Sequence, residues 1–196
     1  MENTGRRRTF KEYRTLDLTI WAAMLVVFEL LVVKAGTSWF RGQPYSVSLV
    51  PALTAVVFMR WGVFGLIHGA LGGVVFAFAS HTGVQQALVY ALGNLLSGLV
   101  LLMFQMKKKE EIRTSNGLSV VFTLLVALLM QVGRGLMSLL FGGSVSGILD
   151  FVLTDVLSGV FAAVLVYVTM KMDGVFEDQK TYLFRINRKD EEEGED

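Results

Sequence analysis

Five ionisable residues stand inside otherwise apolar runs of this 196-residue chain: Glu29, His68, Arg134, Asp150 and Asp155. Asn94 and Gln131 add two amides in similar surroundings. Such groups are costly in an apolar medium and normally face a bundle interior or a cavity. Gln131, Arg134 and Ser138 recur at i, i+3 and i+7, and Asp155, Ser158 and Gly159 at i, i+3 and i+4. Gln86, Tyr90, Asn94 and Ser97 make a further stripe, and His68 shares one with Gly65, Gly69 and Gly72. Helical spacing turns each set to one face, so the polar faces line one interior. The chemistry on offer is recognition. A guanidinium, carboxylates and amides hydrogen-bond a small polar molecule.

Bond-making chemistry has no comparable signature. The chain has no cysteine, which excludes disulfides, a thiolate nucleophile and cysteine metal sites. There is no G-x-x-x-x-G-K-[ST], H-E-x-x-H or G-x-S-x-G motif, and the Gly-Ser-Val-Ser-Gly run at 143–147 lacks a partnered base. No enzyme, cofactor or metal site is expected. His68 and His81 together with carboxylates could bind a metal, but their spacing carries no metal motif, and a hydrogen-bonded core histidine is the plain reading of His68.

The elements that must position these residues are transmembrane helices. The composition is 53% hydrophobic and 18% charged, with mean hydropathy +0.55. A soluble domain carries nearer a quarter of charged residues. Charge crowds into residues 1–14, 107–113 and 171–196, with apolar runs between. The net charge of +1 averages opposed blocks and implies no nucleic-acid partner. About 20 apolar residues cross a bilayer core of roughly 30 Å. Six candidate spans follow: 16–33, 47–59, 61–80, 85–106, 118–141 and 148–170. The second is short, with Pro51 near its outer end, and is open to a tilted, broken or re-entrant form. The basic N-terminus resembles a signal-peptide n-region, but the first apolar run is long for an h-region and no A-x-A site follows, so it reads as a retained span.

Orientation supports six. With both termini inside, the cytoplasmic side collects the N-terminal arginines, Arg60, Lys107, Lys108, Lys109, Arg113 and the tail cations, leaving Lys34 and Arg41 outside. Losing the second span would move the Lys107 loop outside, against the positive-inside rule. The expected organisation is a basic cytoplasmic N-terminus (1–15), an all-α six-helix transmembrane domain (16–170) and a charged, partly disordered cytoplasmic tail (171–196), in a multi-pass protein of the cell membrane. Gly65, Gly69 and Gly73 repeat every four residues in the third span, with Gly93/Ser97 and Gly159/Ala163 similar. Small residues let helix backbones approach closely, and packing within the chain is their first reading.

Depth can be counted from the outer span ends at the helical rise. Glu29 lies roughly 6 Å down, Arg134 and Asp155 about 10 Å, Asn94 about 13 Å and His68 about 18 Å. One cation and two anions thus share a layer in the outer half. Each has a plain alternative. Arg134–Asp155 reads also as a structural ion pair, Glu29 as wetted near the surface, and Asp150, about 3 Å down, as solvated. Convergence on several helices favours a ligand site with Glu29, Asn94, Gln131, Arg134 and Asp155 in the pocket and Tyr45 and Asp150 at its rim. Its net negative balance favours a ligand with a cationic or donor part, while Arg134 remains able to clamp a carboxylate or phosphate.

The stretch Tyr45-Ser46-Val47-Ser48-Leu49-Val50-Pro51, the Arg60-Trp61-Gly62 turn and the glycine repeat that follows resemble the S components of energy-coupling factor (ECF) vitamin transporters. The resemblance covers residues 16–170. It implies a six-helix subunit that captures a micronutrient from outside with outer-half residues. It also implies docking on a membrane T component driven by two ABC ATPases. Family members dock through an A-x-x-x-A face on the first helix. Here Ala22 pairs with Val26, and Ala23 with Val27, so half the motif survives. No substrate fingerprint selects among thiamine, riboflavin, biotin and folate. The rival reading is a non-transporting scaffold similar to the small rod-shape-determining membrane subunits. On that reading the buried charges pair with one another and the lysine loop meets a partner or anionic lipid.

Overall fold

The computed structural model describes residues 9–39, 46–172, 175, 176, 179, 182 and 184, and these are helical with short connections. The elements are α1 (Phe10–Trp39), α2 (Val50–Trp61), a short tight turn of helix (Gly62–Phe64), α3 (Gly65–Ala79), α4 (Val84–Asn94), a tighter 3-10 stretch (Leu95–Leu102) running into α5 (Met103–Met106), α6 (Lys109–Thr114), α7 (Asn116–Leu140), α8 (Val145–Thr154) and α9 (Val156–Thr169). Local chemistry explains several boundaries. Ser115 and Ser144 cap α7 and α8 by accepting from Leu118 N–H and Gly147 N–H. Pro51 sits in the first turn of α2, where its missing N–H costs nothing.

Four helical stretches among the described residues are long and apolar enough to cross a membrane: Phe10–Trp39, Val50–Ala79, Val84–Met106 and Asn116–Leu140. The α8–α9 pair, bent by 42°, makes a fifth if taken as one span. Val50–Ala79 is not one straight rod. Val50 and Gly72 would lie about 33 Å apart in a continuous helix, yet a Cβ added at Gly72 would meet Val50 Cγ1 at 2.5 Å. The chain therefore folds back at Gly62, whose φ of 60° suits a residue without Cβ. The 47–59 and 61–80 segments are thus separate arms of one hairpin. Its first arm is short: twelve residues reach about 18 Å. Ten of those twelve are buried, so α2 is a core helix sheathed by the others.

The sixth expected span also differs from a plain helix. It breaks at Asp155, which takes φ −110° and ψ 13° and separates α8 from α9. No proline or glycine marks this bend. The hydrogen bonds made there by the Asp155 carboxylate, described below, hold it.

Helix α7 is the hub, packing on α2, α4, α8 and α9. Its contact with α4 is a backbone-to-backbone approach. A Cβ on Gly93 would lie 2.5 Å from Arg134 Cα, and one on Gly133 would collide with Gly93 O. The glycine stripe of α3 is likewise used inside the chain, with Gly65 against Phe58, Gly72 against Val50 and Gly73 against the Tyr90 backbone. Outward positions are apolar, among them Leu31, Ile67, Leu140 and Leu153, as befits a surface solvated by lipid.

The end of the bundle that carries the α2–α3 turn is closed by polar contacts. Asp17 of α1 accepts from Arg60 Nε (3.1 Å), Arg60 Nη2 (2.7 Å) and Trp61 Nε1 (2.5 Å). Arg60 Nη1 donates to Val175 O (2.6 Å), and Tyr13 Oη to Gln179 Oε1 (2.7 Å). Phe176 and Gln179 are buried. These described residues of the tail thus pack against the bundle.

Candidate functional site

At the opposite end, five elements bring polar side chains to one point. Gln131 and Arg134 stand one turn apart on α7. Asp155 occupies the α8–α9 bend, with Ser158 one turn on. Asn94 ends α4, Glu29 lies on α1, and Ser46 and Ser48 lie on the strand-like lead into α2. Arg134 is 1% exposed and Asp155 4%. Arg134 Nη1 donates to Asp155 Oδ2 (3.0 Å) and to Gln131 Oε1 (3.3 Å), and its Nε donates to Asn94 Oδ1 (2.8 Å). Asn94 Nδ2 in turn donates to Gly69 O (2.8 Å), tying α3 to the cluster.

Asp155 is saturated with donors. Besides Arg134, it accepts from Gln131 Nε2, from Ser158 Oγ and, at 2.9 Å, from Ser46 Oγ. Ser158 Oγ also accepts from Ser48 N–H (2.9 Å). Glu29 Oε2 accepts from Leu49 N–H at 2.7 Å and so pins the start of α2 to α1. The guanidinium carbon lies 4.6 Å from the centre of the Tyr90 ring and 5.8 Å from that of Phe76. A buried cation thus has a hydrogen-bonded carboxylate and two aromatic rings beside it, an arrangement that lowers the cost of removing it from water.

Two atoms of this cluster are left over. Glu29 Oε1 and Arg134 Nη2 are buried without a hydrogen-bond partner. Buried polar atoms are otherwise nearly always paired, so these two are exceptions within the network.

The structure therefore gathers Glu29, Asn94, Gln131, Arg134 and Asp155. Asp150 is exposed on α8, apart from them. Tyr45 lies outside the described residues. On α1, Ala23 is exposed while Ala22 and Val26 are half-buried. His68 has its ring nitrogens near Phe64 O (3.3 Å) and Leu18 O (3.0 Å), bracing α3 against α1. Among the described residues, no three His, Cys, Asp or Glu side chains gather as metal ligands. The site also includes Ser46, Ser48, Ser158, Tyr90 and Phe76. The serines had a signal in the Ser-x-Ser stretch and in the i+3 spacing from Asp155. Phe76 had none, being one apolar residue among many.

No family model and no curated protein matches the sequence. Among solved structures the fold is similar to that of ThiT from Listeria monocytogenes, an ECF S component, with a TM-score of 0.54 at 12% identity, over 83% of this chain and 98% of that one. The chain has the S-component fold. Nearly the whole of ThiT is matched, so the likeness is one of architecture and not of a shared helix pair. Within this S-component fold, the Arg134–Asp155 cluster is built by contacts across α1, α4, α7 and α9, helices far apart in sequence.

Proposed function

We propose that this protein is the substrate-capture subunit of an ECF-type importer. It binds a small vitamin-like or other polar micronutrient in an outward-facing site and delivers it with a T component and two ABC ATPases. The observation that carries this reading is the pair of unsatisfied buried atoms, Glu29 Oε1 and Arg134 Nη2, within a polar cluster of an S-component fold. On this reading the chain crosses the cell membrane six times, with α2 and its lead-in counted as the second pass and both termini inside. Glu29, Asn94, Gln131, Arg134 and Asp155 contact the ligand, with Tyr45 and Asp150 at the rim. Ala22, Ala23 and Val26 on α1 face the T component.

A second reading has one observation in its favour. The Asp155 carboxylate is already met by four donors, as a purely structural ion pair would be. The protein would then be a membrane scaffold of the rod-shape-determining kind. Native mass spectrometry of the tagged protein, gently extracted from its own host's membranes, separates the two. Capture requires a bound small molecule together with T component and ATPases. A bare protein accompanied by envelope or cell-shape proteins would replace capture with the scaffold.

A further inference from the structure

We propose that a groove between α1, α2 and α9 holds one acyl chain of an anionic phospholipid, whose headgroup lies at the membrane face of the α2–α3 turn. The inference stands apart from the capture reading, because it uses no side chain of the polar cluster. The groove encloses about 500 Å3. Trp21 and Phe28 of α1 mark one wall, Phe161 and Leu165 of α9 the other, and Ala52 and Val56 of α2 the floor. No polar atom of the described residues faces it. Thr169, the hydroxyl residue on its wall, donates its Oγ1 to Val166 O at 3.0 Å, within its own helix. A polar solute would leave its donors and acceptors unpaired in such a groove, whereas hydrocarbon has none to satisfy.

Shape selects a chain and not a helix. Ala52 and Val56 are 3% exposed and Val166 1%, although all three line the groove. The cleft above them is therefore narrower than a helix, which is about 10 Å across with its side chains. Phe28 and Phe161 are exposed at its lips, so the opening faces the bilayer and is loaded sideways from it. Trp21 to Phe28 covers about 10 Å and Phe161 to Thr169 about 12 Å at the helical rise. One leaflet of a core of roughly 30 Å is about 15 Å deep, so the groove takes most of one chain from one leaflet.

Position and charge decide which leaflet. Met172 and Val175, past the end of α9, line the groove where Arg60 of the α2–α3 turn donates to Val175 O (2.6 Å). The groove thus reaches that membrane face. Toward the other face it stops at Leu49 and Phe28, and Phe28 lies about 8 Å short of Val33 at the helical rise. That far end adjoins the carboxylates of Glu29 and Asp155. At the near end, among the described residues, Lys11, Arg14, Arg60 and Lys171 outnumber Glu12 and Asp17. An anionic headgroup is drawn to the near end and away from the far one.

The test incubates purified full-length protein with an equimolar mixture of phosphatidylglycerol and phosphatidylcholine, exchanges it into detergent and counts bound lipid by native mass spectrometry. One retained phospholipid per protein is expected, with phosphatidylglycerol favoured at least about fivefold, the effect of a single interfacial cation. Ala52→Phe fills the floor and should weaken retention about tenfold, what burying two methylenes is worth, while thermal unfolding shows a folded protein. Where that variant fails to fold, Leu53→Phe, at a half-buried lining position, carries the same test. No retained phospholipid, equal retention of the two headgroups, or retention unchanged in a folded variant would overturn the proposal. In the last case, loss of T-component co-purification by the same variant would give the groove to the protein partner instead.

Discussion

Removing the Asp155 carboxylate should be among the most damaging single changes in this protein. Asp155→Ala leaves the Arg134 guanidinium, 1% exposed, without its counter-ion, and leaves Ser46, Ser158 and Gln131 without the acceptor they now share. Breaking a buried pair by removing one partner costs about 3–5 kcal/mol. For a chain of this size each kcal/mol moves the unfolding midpoint by about 2–4 °C, so the expected drop is about 6–20 °C. The bend between α8 and α9 loses its anchor as well. The assay is thermal unfolding in detergent, read by tryptophan fluorescence, for Asp155→Ala, Arg134→Met and the pair Arg134→Met/Asp155→Leu. Replacing both charges by apolar groups of similar size is often neutral or better, so the double variant should recover most of the loss. A single variant that loses less than about 2 °C, or a double variant as damaged as the worse single, would refute the view that these residues are mutual buried counter-ions.

Three further outcomes are expected. Gly93→Ala forces a methyl to within 2.5 Å of Arg134 Cα; since backbone cannot swing aside, α4 and α7 must part, at about 1–3 kcal/mol or about 2–12 °C of midpoint, and an unchanged midpoint would contradict the close crossing. Ala23→Leu, at an exposed position of α1, should move the midpoint by less than about 2 °C yet abolish co-purification of the T component, and retention of that partner would remove α1 from the interface. The natural chain has no cysteine, so single cysteines report sidedness directly. His81→Cys should react with an impermeant maleimide in intact cells and Lys108→Cys only after permeabilisation, and the reverse pattern would invert the proposed topology.

Much of the architecture is legible before folding because a membrane chain writes its spans as composition. The limits 118–141 anticipate α7 (Asn116–Leu140) to within two residues, since apolar length alone sets such a boundary. The separation of 47–59 from 61–80 needed the Arg60-Trp61-Gly62 turn, and the Val50–Gly72 packing shows the fold-back. The glycine stripe of α3 was readable as packing because a missing side chain has few other uses in lipid. Depth counting put Glu29, Arg134 and Asp155 in one layer, because a helix has a fixed rise, and helical spacing added Gln131 and Asn94 through their polar faces.

Closure of the cluster was beyond that count. Asp150 and Asp155 lie five residues apart in one apolar run, yet one is exposed and the other sits at the centre of the cluster. Helical rotation sets them about 140° apart, and the break between α8 and α9 depends on donors from α7 and from the lead-in to α2 rather than on any local helix breaker. Arg60 pairs with Asp17, 43 positions away, and donates to Val175 O, 115 positions away, while Tyr13 reaches Gln179 across 166, all through contacts with no sequence pattern. The sequence alone determined which polar groups stand within apolar runs and how far along each run they lie, because those follow from composition and helical rise. Only the tertiary structure decided which of them satisfy one another and which atoms, Arg134 Nη2 and Glu29 Oε1, lack a hydrogen-bond partner, because hydrogen bonding is set by distances of a few tenths of an ångström between helices that the sequence does not space.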